Sequence, residues 1–140
     1  MGGQKYYKAE GGFVQYLYHQ VGIVTADNGI SAKVVEKINK EDHAQGLPAY
    51  SNTSDIYLKK GKESGDIIQA RIYKDRKAYI DFDWSHNHQD CPEGVVHVHF
   101  YKIVDGVPRK QTAWRYMNNE EMKKYGPLLR KATPNVKFRK

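Results

Sequence analysis

Six histidines occur in this 140-residue chain, and four of them fall between Ile80 and Phe100, in the run IDFDWSHNHQDCPEGVVHVHF. Asp81 and Asp83 open the run, His86 and His88 stand in its middle, and His97 and His99 close it. Imidazoles and carboxylates at this density can do two kinds of chemistry. The first is proton transfer: histidine titrates near neutrality, with an unperturbed pKa of about 6.5, so one ring can act as base and a second as acid. The second is metal ligation. Two histidines at i and i+2 on a strand present both rings on one face, as His97-Val98-His99 does, and Asp81 or Asp83 can add an oxygen ligand.

Applied to RNA, the acid–base reading gives His97 and His99 the proton transfers at the 2′-hydroxyl and the leaving oxygen. Arg71 would stabilise charge on the phosphorus centre, and Asp81 or Asp83 would orient an imidazole, with His86 as a reserve candidate. This reading needs no cofactor; the metal reading needs a divalent transition metal held by His97, His99 and Asp83. The adjacent letters HNH at 86 to 88 are not the nuclease motif of that name, whose residues are spread along a hairpin and a following helix. A third reading is inert: a half-exposed antiparallel sheet presents polar residues outward, linked across strands in salt pairs. Cys91, a lone thiol beside Pro92, reads as structural or incidental, and a single cysteine excludes an internal disulfide.

These residues need strands to aim them. Alternating hydrophobicity predicts strands over 55–59, 67–74, 78–84, 95–104 and 110–116, separated by KGKESGD, DRK, SHNHQDCPEG and DGVP. Short connections imply antiparallel neighbours, so the expectation is a meander of four to five strands. Side-chain parity then sets Ala78, Ile80, Phe82 and Trp84 against Tyr79, Asp81 and Asp83, and Val96, Val98 and Phe100 against His97, His99 and Tyr101. Arg71 and Tyr73 join the polar side, which is expected to be an exposed sheet face.

Upstream, FVQYLYHQVGIV (13–24) fits either a strand or a short helix. Ser31 can cap a helix running to about Asp42, with Val34, Val35 and Ile38 on one stripe. Downstream, Asn118 and Glu121 form a capping box for a second helix, with Met122, Tyr125, Leu128, Leu129 and Ala132 as its apolar stripe and a kink expected at Pro127. The resulting expectation is an α+β domain over 13–134, an antiparallel meander packed on one face by an N-terminal and a C-terminal helix. A flexible arm (1–12) precedes it and a basic tail (135–140) follows it.

Lys and Arg outnumber Asp and Glu by 23 to 16, a formal charge of +7, which favours an anionic partner such as nucleic acid. The excess is concentrated: residues 118–140 hold seven basic side chains against Glu120 and Glu121, a balance of +5. Lys123, Lys124, Arg130 and Lys131 of the second helix are the candidates for holding phosphates. No secretory signal stands out, and the most apolar run, 13–24, is interrupted by polar residues and too short to span a bilayer. The chain reads as soluble, with no membrane partner.

The run IIQARIYKDRKAYIDFDWSHNHQDCPEGVVHVHFYK resembles a domain found at the C-terminal ends of bacterial polymorphic toxins and phage minor capsid proteins. The shared pattern is an RxY strand (Arg71-Ile72-Tyr73), a paired-aspartate strand (Ile80-Asp81-Phe82-Asp83), a histidine-bearing loop (His86) and HxH (His97-Val98-His99). The upstream LPAYSNTSDIYLKKGKESGD fits a lead-in strand, so the likeness covers about residues 47 to 102. It implies a toxin-type ribonuclease with a small α+β fold of the barnase, EndoU and RelE kind, acting on RNA in a bacterial cytoplasm and countered by an immunity protein. The chain opens on its own methionine with no delivery module, which fits an excised domain or a free-standing phage or mobile-element protein. The alternative is a non-catalytic module of that kind, binding nucleic acid or a protein partner.

Overall fold

The computed structural model describes residues 6–8, 17–37, 47–51, 56–61, 65–84 and 92–138. Eight strands, β1 (Tyr6–Lys8), β2 (Leu17–Thr25), β3 (Ser31–Lys37), β4 (Ile56–Lys60), β5 (Ile67–Lys74), β6 (Lys77–Asp83), β7 (His97–Val104) and β8 (Val107–Tyr116), precede helix α1 (Asn119–Ala132). They form one sheet in chain order, seven strands of five to ten residues with the three-residue β1 at one edge. Every neighbouring pair is antiparallel except β3 and β4, which run parallel, so the sheet is mixed.

This architecture corrects the expected four- to five-stranded meander between two helices. The segment from Ser31 is a strand, not a capped helix. Val34 packs in the apolar cluster on one side of the sheet and Val35 in the cluster on the other. The apparent helical stripe was therefore the two-faced burial of a strand, which β-branched residues favour. The undecided run before it supplies β2. Tyr6–Lys8 lies in the stretch expected as a loose arm, yet pairs with Leu17–His19. Among the described residues α1 is the one helix, and no helix there is long and apolar enough to cross a membrane.

Two tight turns set the register of the half that matters most. Asp75 and Arg76 join β5 to β6 with φ of 51° and 66°, and Asp105 and Gly106 join β7 to β8 with φ of 52° and 79°. Positive φ at both central residues matches the right-handed twist of paired strands. Opposite the first turn, β6 carries an irregularity: Ile72 pairs with Ile80 and Tyr73 with Ala78, leaving Tyr79 as an extra residue. The bulge reverses parity beyond it. Ala78 therefore packs with Tyr73 and Tyr101 rather than with Ile80, and Tyr79 is exposed instead of joining the aspartates.

Helix α1 covers one face. Asn118 accepts from the Glu121 amide and Glu121 from the Asn118 amide, completing the expected capping box. Leu128 and Leu129 are fully buried against Phe82, Val96 and Val98, with Met122, Tyr125 and Ala132 packed around them, as the stripe predicts. Pro127 sits inside the helix, where its ring removes an amide donor; one turn earlier Asn28 donates to the Lys124 carbonyl at 3.0 Å. The chain after the helix, where a basic tail was expected, returns to the sheet: Val96 donates to the Lys137 carbonyl, Lys137 donates to the Gly94 carbonyl, and Val136 is buried.

Candidate metal centre

Strand register lays the polar side chains in two rows across the face away from α1. One row runs Lys59, Gln69, Asp83, His97, Tyr116; the next runs Tyr57, Arg71, Asp81, His99, Trp114. The neighbour relations assumed from the sequence thus hold for β5, β6 and β7. The expectation of an exposed face does not. Arg71 is 2%, Asp81 0%, Asp83 6%, His97 0% and His99 7% exposed. A second apolar cluster, with Tyr18, Val35, Leu47, Tyr57, Tyr73, Ala78 and Tyr101, occupies the same side. Part of the cover is the segment from Leu47 to Ser51, whose Leu47 and Pro48 carbonyls accept from Arg71 Nη1 at 2.6 and 3.3 Å; Pro48 also accepts from the Tyr73 hydroxyl.

The two aspartates of β6 have opposite surroundings. Asp81 accepts from Arg71 Nε at 2.6 Å and Nη2 at 3.0 Å, from Gln69 Nε2 at 3.1 Å and from the Tyr101 hydroxyl at 2.7 Å. Burial works against its charge, but the Arg71 guanidinium and then Lys110 prevail and hold the carboxyl below its usual range. Arg71, whose burial also opposes its charge, is held above its ordinary range by the same pair. Asp83 lacks such support. Its Oδ2 lies 4.0 Å from Lys110 Nζ and accepts no hydrogen bond among the described residues. Burial and, second, the nearby Asp81 charge push its carboxyl up to about 7.

Asp83 faces the two histidines. One ligand atom from each of Asp83, His97 and His99 lies within 4.8 Å of the other two. The imidazole centroids are 5.3 Å apart with their planes at 78°, an edge-to-face arrangement. Two nitrogens and one carboxylate oxygen form a donor set suited to zinc, iron, cobalt or nickel. Zinc–ligand bonds of about 2.0–2.2 Å put tetrahedral ligands about 3.3 Å apart, so the side chains need to close by on the order of 1 Å around an ion. The under-supported Asp83 oxygen is what such an ion would satisfy.

Of the residues singled out from the sequence, Arg71, Asp81, Asp83, His97 and His99 come together here. His86, His88 and Cys91 lie outside the described residues. Lys123, Lys124, Arg130 and Lys131 are exposed on α1, on the opposite face of the sheet, so they do not line this centre. Three contributors escaped the sequence reading. Lys110 Nζ reaches Asp81 Oδ2 at 3.4 Å, Trp114 lies edge-on to His97 with centroids 5.7 Å apart, and Tyr116 lies 5.1 Å from Trp114. Their signal was present: Lys110, Trp114 and Tyr116 share parity on β8, which was read as a strand without its faces being assigned. No family model, no curated protein and no solved structure matches this chain.

Proposed function

We propose that this chain is a metal-dependent hydrolase of phosphodiesters, with a divalent transition ion held by Asp83, His97 and His99. The observation that carries the reading is the convergence of those three ligand atoms within 4.8 Å, with Asp83 Oδ2 accepting no hydrogen bond. Three protein ligands leave coordination positions open, as in hydrolytic zinc sites. When bound, such an ion polarises a phosphoryl oxygen and activates water at neutral pH. Water adds to phosphorus, one P–O ester bond breaks, and the water proton ends on the departing oxygen. Arg71 and Asp81, hydrogen-bonded to each other and to their neighbours, act as positioning residues behind the centre.

Burial favours this reading over histidine acid–base catalysis without metal. His97 is fully enclosed, and one ligand atom each of His97, His99 and Asp83 lie within 4.8 Å of one another. Nucleic acid as the source of the phosphodiester is supported by the formal charge of +7. The exposed basic residues of α1 support a separate electrostatic contact with the same polymer on the other side of the sheet.

Metal binding is tested directly by titrating metal-free protein with Zn²⁺ and with Co²⁺. One equivalent is expected, with visible Co²⁺ absorption of a nitrogen–oxygen site, weakened at least tenfold by Asp83→Asn or His99→Gln in protein that remains folded by circular dichroism. Failure of Zn²⁺, Co²⁺, Ni²⁺ and Mn²⁺ to bind the folded protein stoichiometrically sinks the reading. Incubation with RNA and single-stranded DNA then tests the reaction: cleavage abolished by EDTA and restored by metal is expected. Cleavage unaffected by EDTA returns the histidines to the acid–base role.

A further inference from the structure

Helix α1 does not cover the whole of its face. Its partners Phe82, Val96 and Val98, and the Ile67 carbonyl that accepts from Thr133 Oγ1, lie toward the end of the sheet where β8 leads into the helix. Toward the two tight turns, the last sheltered row is Ile56, Ile72, Ile80 and Phe100, in register across β4 to β7. The three isoleucines are buried and Phe100 partly so, with the Arg115 guanidinium 4.7 Å from its ring centre.

The next row on that face is cationic. Two positions on from Ile72 and from Phe100 stand Lys74 and Lys102. Lys74 pairs with Lys77 across β5 and β6, and Lys102 with Arg109 across β7 and β8. Lys77 reaches this face because of the extra residue at Tyr79; in a regular strand Ala78 would stand in its place. Among the described residues no ion pair joins these four cations to a carboxylate, and Glu121 is taken by Arg115 through hydrogen bonds at 2.7 and 2.8 Å. Like charges directly opposite on neighbouring strands repel, so both pairings work against the sheet. Strands about 4.8 Å apart set the four cations along a line of about 14 Å. Beside that line Tyr79 and Val104 are 43% and 48% exposed, and the Lys74 ammonium lies 5.2 Å from the Tyr79 ring centre.

We infer that this row is a docking surface for the phosphate backbone of a nucleic acid, with one phosphate contact from each of Lys74, Lys77, Lys102 and Arg109. A line of positive charge matches a linear polyanion, and phosphates set against it relieve the repulsion within each pair. A lipid surface is the weaker match, because the turns beyond the row carry Asp75 and Asp105, carboxylates that an anionic bilayer would meet first. The row lies on the opposite face of the sheet from Asp83, His97 and His99, and it needs no metal.

The test is fluorescence anisotropy of labelled oligo(dT) with full-length protein in EDTA, which keeps metal-dependent cleavage out of the measurement. Each phosphate contact to a single strand adds about 0.7 to the steepness of log affinity against log salt, so the row accounts for a slope of about −2.8. That share of the affinity is expected to fall about fiftyfold between 50 and 200 mM salt. Lys74→Gln, Lys102→Gln and Arg109→Gln should each reduce the slope by about 0.7, and the quadruple variant with Lys77→Gln by about 2.8. The same decrements are expected in a background of Lys123→Gln with Lys124→Gln, which separates the row from the exposed cations of α1. Lys102→Glu, opposite Arg109, should weaken oligo(dT) further yet raise the urea midpoint at low salt, because an attractive pair replaces a repulsive one. An unchanged slope in the quadruple variant, folded by circular dichroism, overturns the inference. So does a quadruple variant that loses binding to phosphatidylserine vesicles while keeping oligo(dT). A lowered urea midpoint for Lys102→Glu would show the cations to be structural and overturn it as well. Zinc binding is measured separately, so failure of this surface and failure of the metal centre are told apart.

Discussion

The two faces of the sheet are built from alternate residues of the same strands, yet they are buried by opposite chemistry. On the helix side, Phe82, Val98, Leu128 and Leu129 meet hydrocarbon with hydrocarbon. On the other side, Arg71, Asp81, Asp83, His97 and His99 are withdrawn from water just as thoroughly. Burying an ion costs several kcal/mol unless partners compensate, and an apolar replacement is often as stable. On that balance the charged face gives the fold no stability that an apolar one of similar volume would not. Its two aspartates differ: Asp81 is fully engaged, and Asp83 Oδ2 accepts no hydrogen bond among the described residues.

The sharpest way to break the comparison is to damage each face in turn. Asp81→Asn leaves Arg71 enclosed without its counter-charge and is expected to cost about 3–5 kcal/mol in urea unfolding. Leu128→Ala, on the helix side, removes buried methyl groups and is expected to cost about 2–5 kcal/mol. The faces separate in the repair. Replacing both ion-pair partners, Arg71→Met with Asp81→Leu, should recover much of the first loss, whereas adding Leu129→Ala deepens the second. A cost below 1 kcal/mol for Asp81→Asn would show that the pair does not hold that face together.

Asp83 gives the smaller effect, with the opposite sign. Its folded pKa, pushed up to about 7 by burial and by Asp81, lies above the ordinary value of 3.8. The folded state therefore holds this proton more tightly than the unfolded chain does. In metal-free protein its contribution to stability falls as pH rises from about 4 to about 7, and the full penalty applies above 7. About three pH units at roughly 1.4 kcal/mol each set an upper bound of roughly 4 kcal/mol. Asp83→Asn should flatten this part of the pH–stability curve and stabilise metal-free protein at pH 8, even as it weakens metal binding. A wild-type curve no steeper than that of the variant between pH 4 and 7 would refute the account.

Much of the centre was legible because period two is a strong signal once strands are long. Arg71, Asp81, His97 and His99 were assigned to one face by parity alone, and the capping box and stripe of α1 were read to the residue. Three features were not legible, each for a physical reason. Val34-Val35 fits a helical stripe or a strand buried on both sides, and only the partners β2 and β4 decide between them. The extra residue at Tyr79 is a local choice of hydrogen-bond register, invisible in a pattern that simply alternates. Burial of the polar face depends on Leu47 and its neighbours, which are near Arg71 in space but more than twenty positions away in the chain.

The one parallel pairing, between β3 and β4, has a consequence for how the molecule assembles. Asp83, His97, His99, Lys110 and Trp114 all come from β6, β7 and β8, joined in sequence and paired antiparallel. β7 and β8 close over a two-residue turn and β6 and β7 over thirteen residues, whereas the parallel pair closes over eighteen, from Lys37 to Ile56. The centre should therefore take shape early, before β2 and β3 dock on the far side of that crossover. Pulse-labelled amide exchange during refolding should protect β6–β8 first; simultaneous protection of β2 and β3 would count against that order.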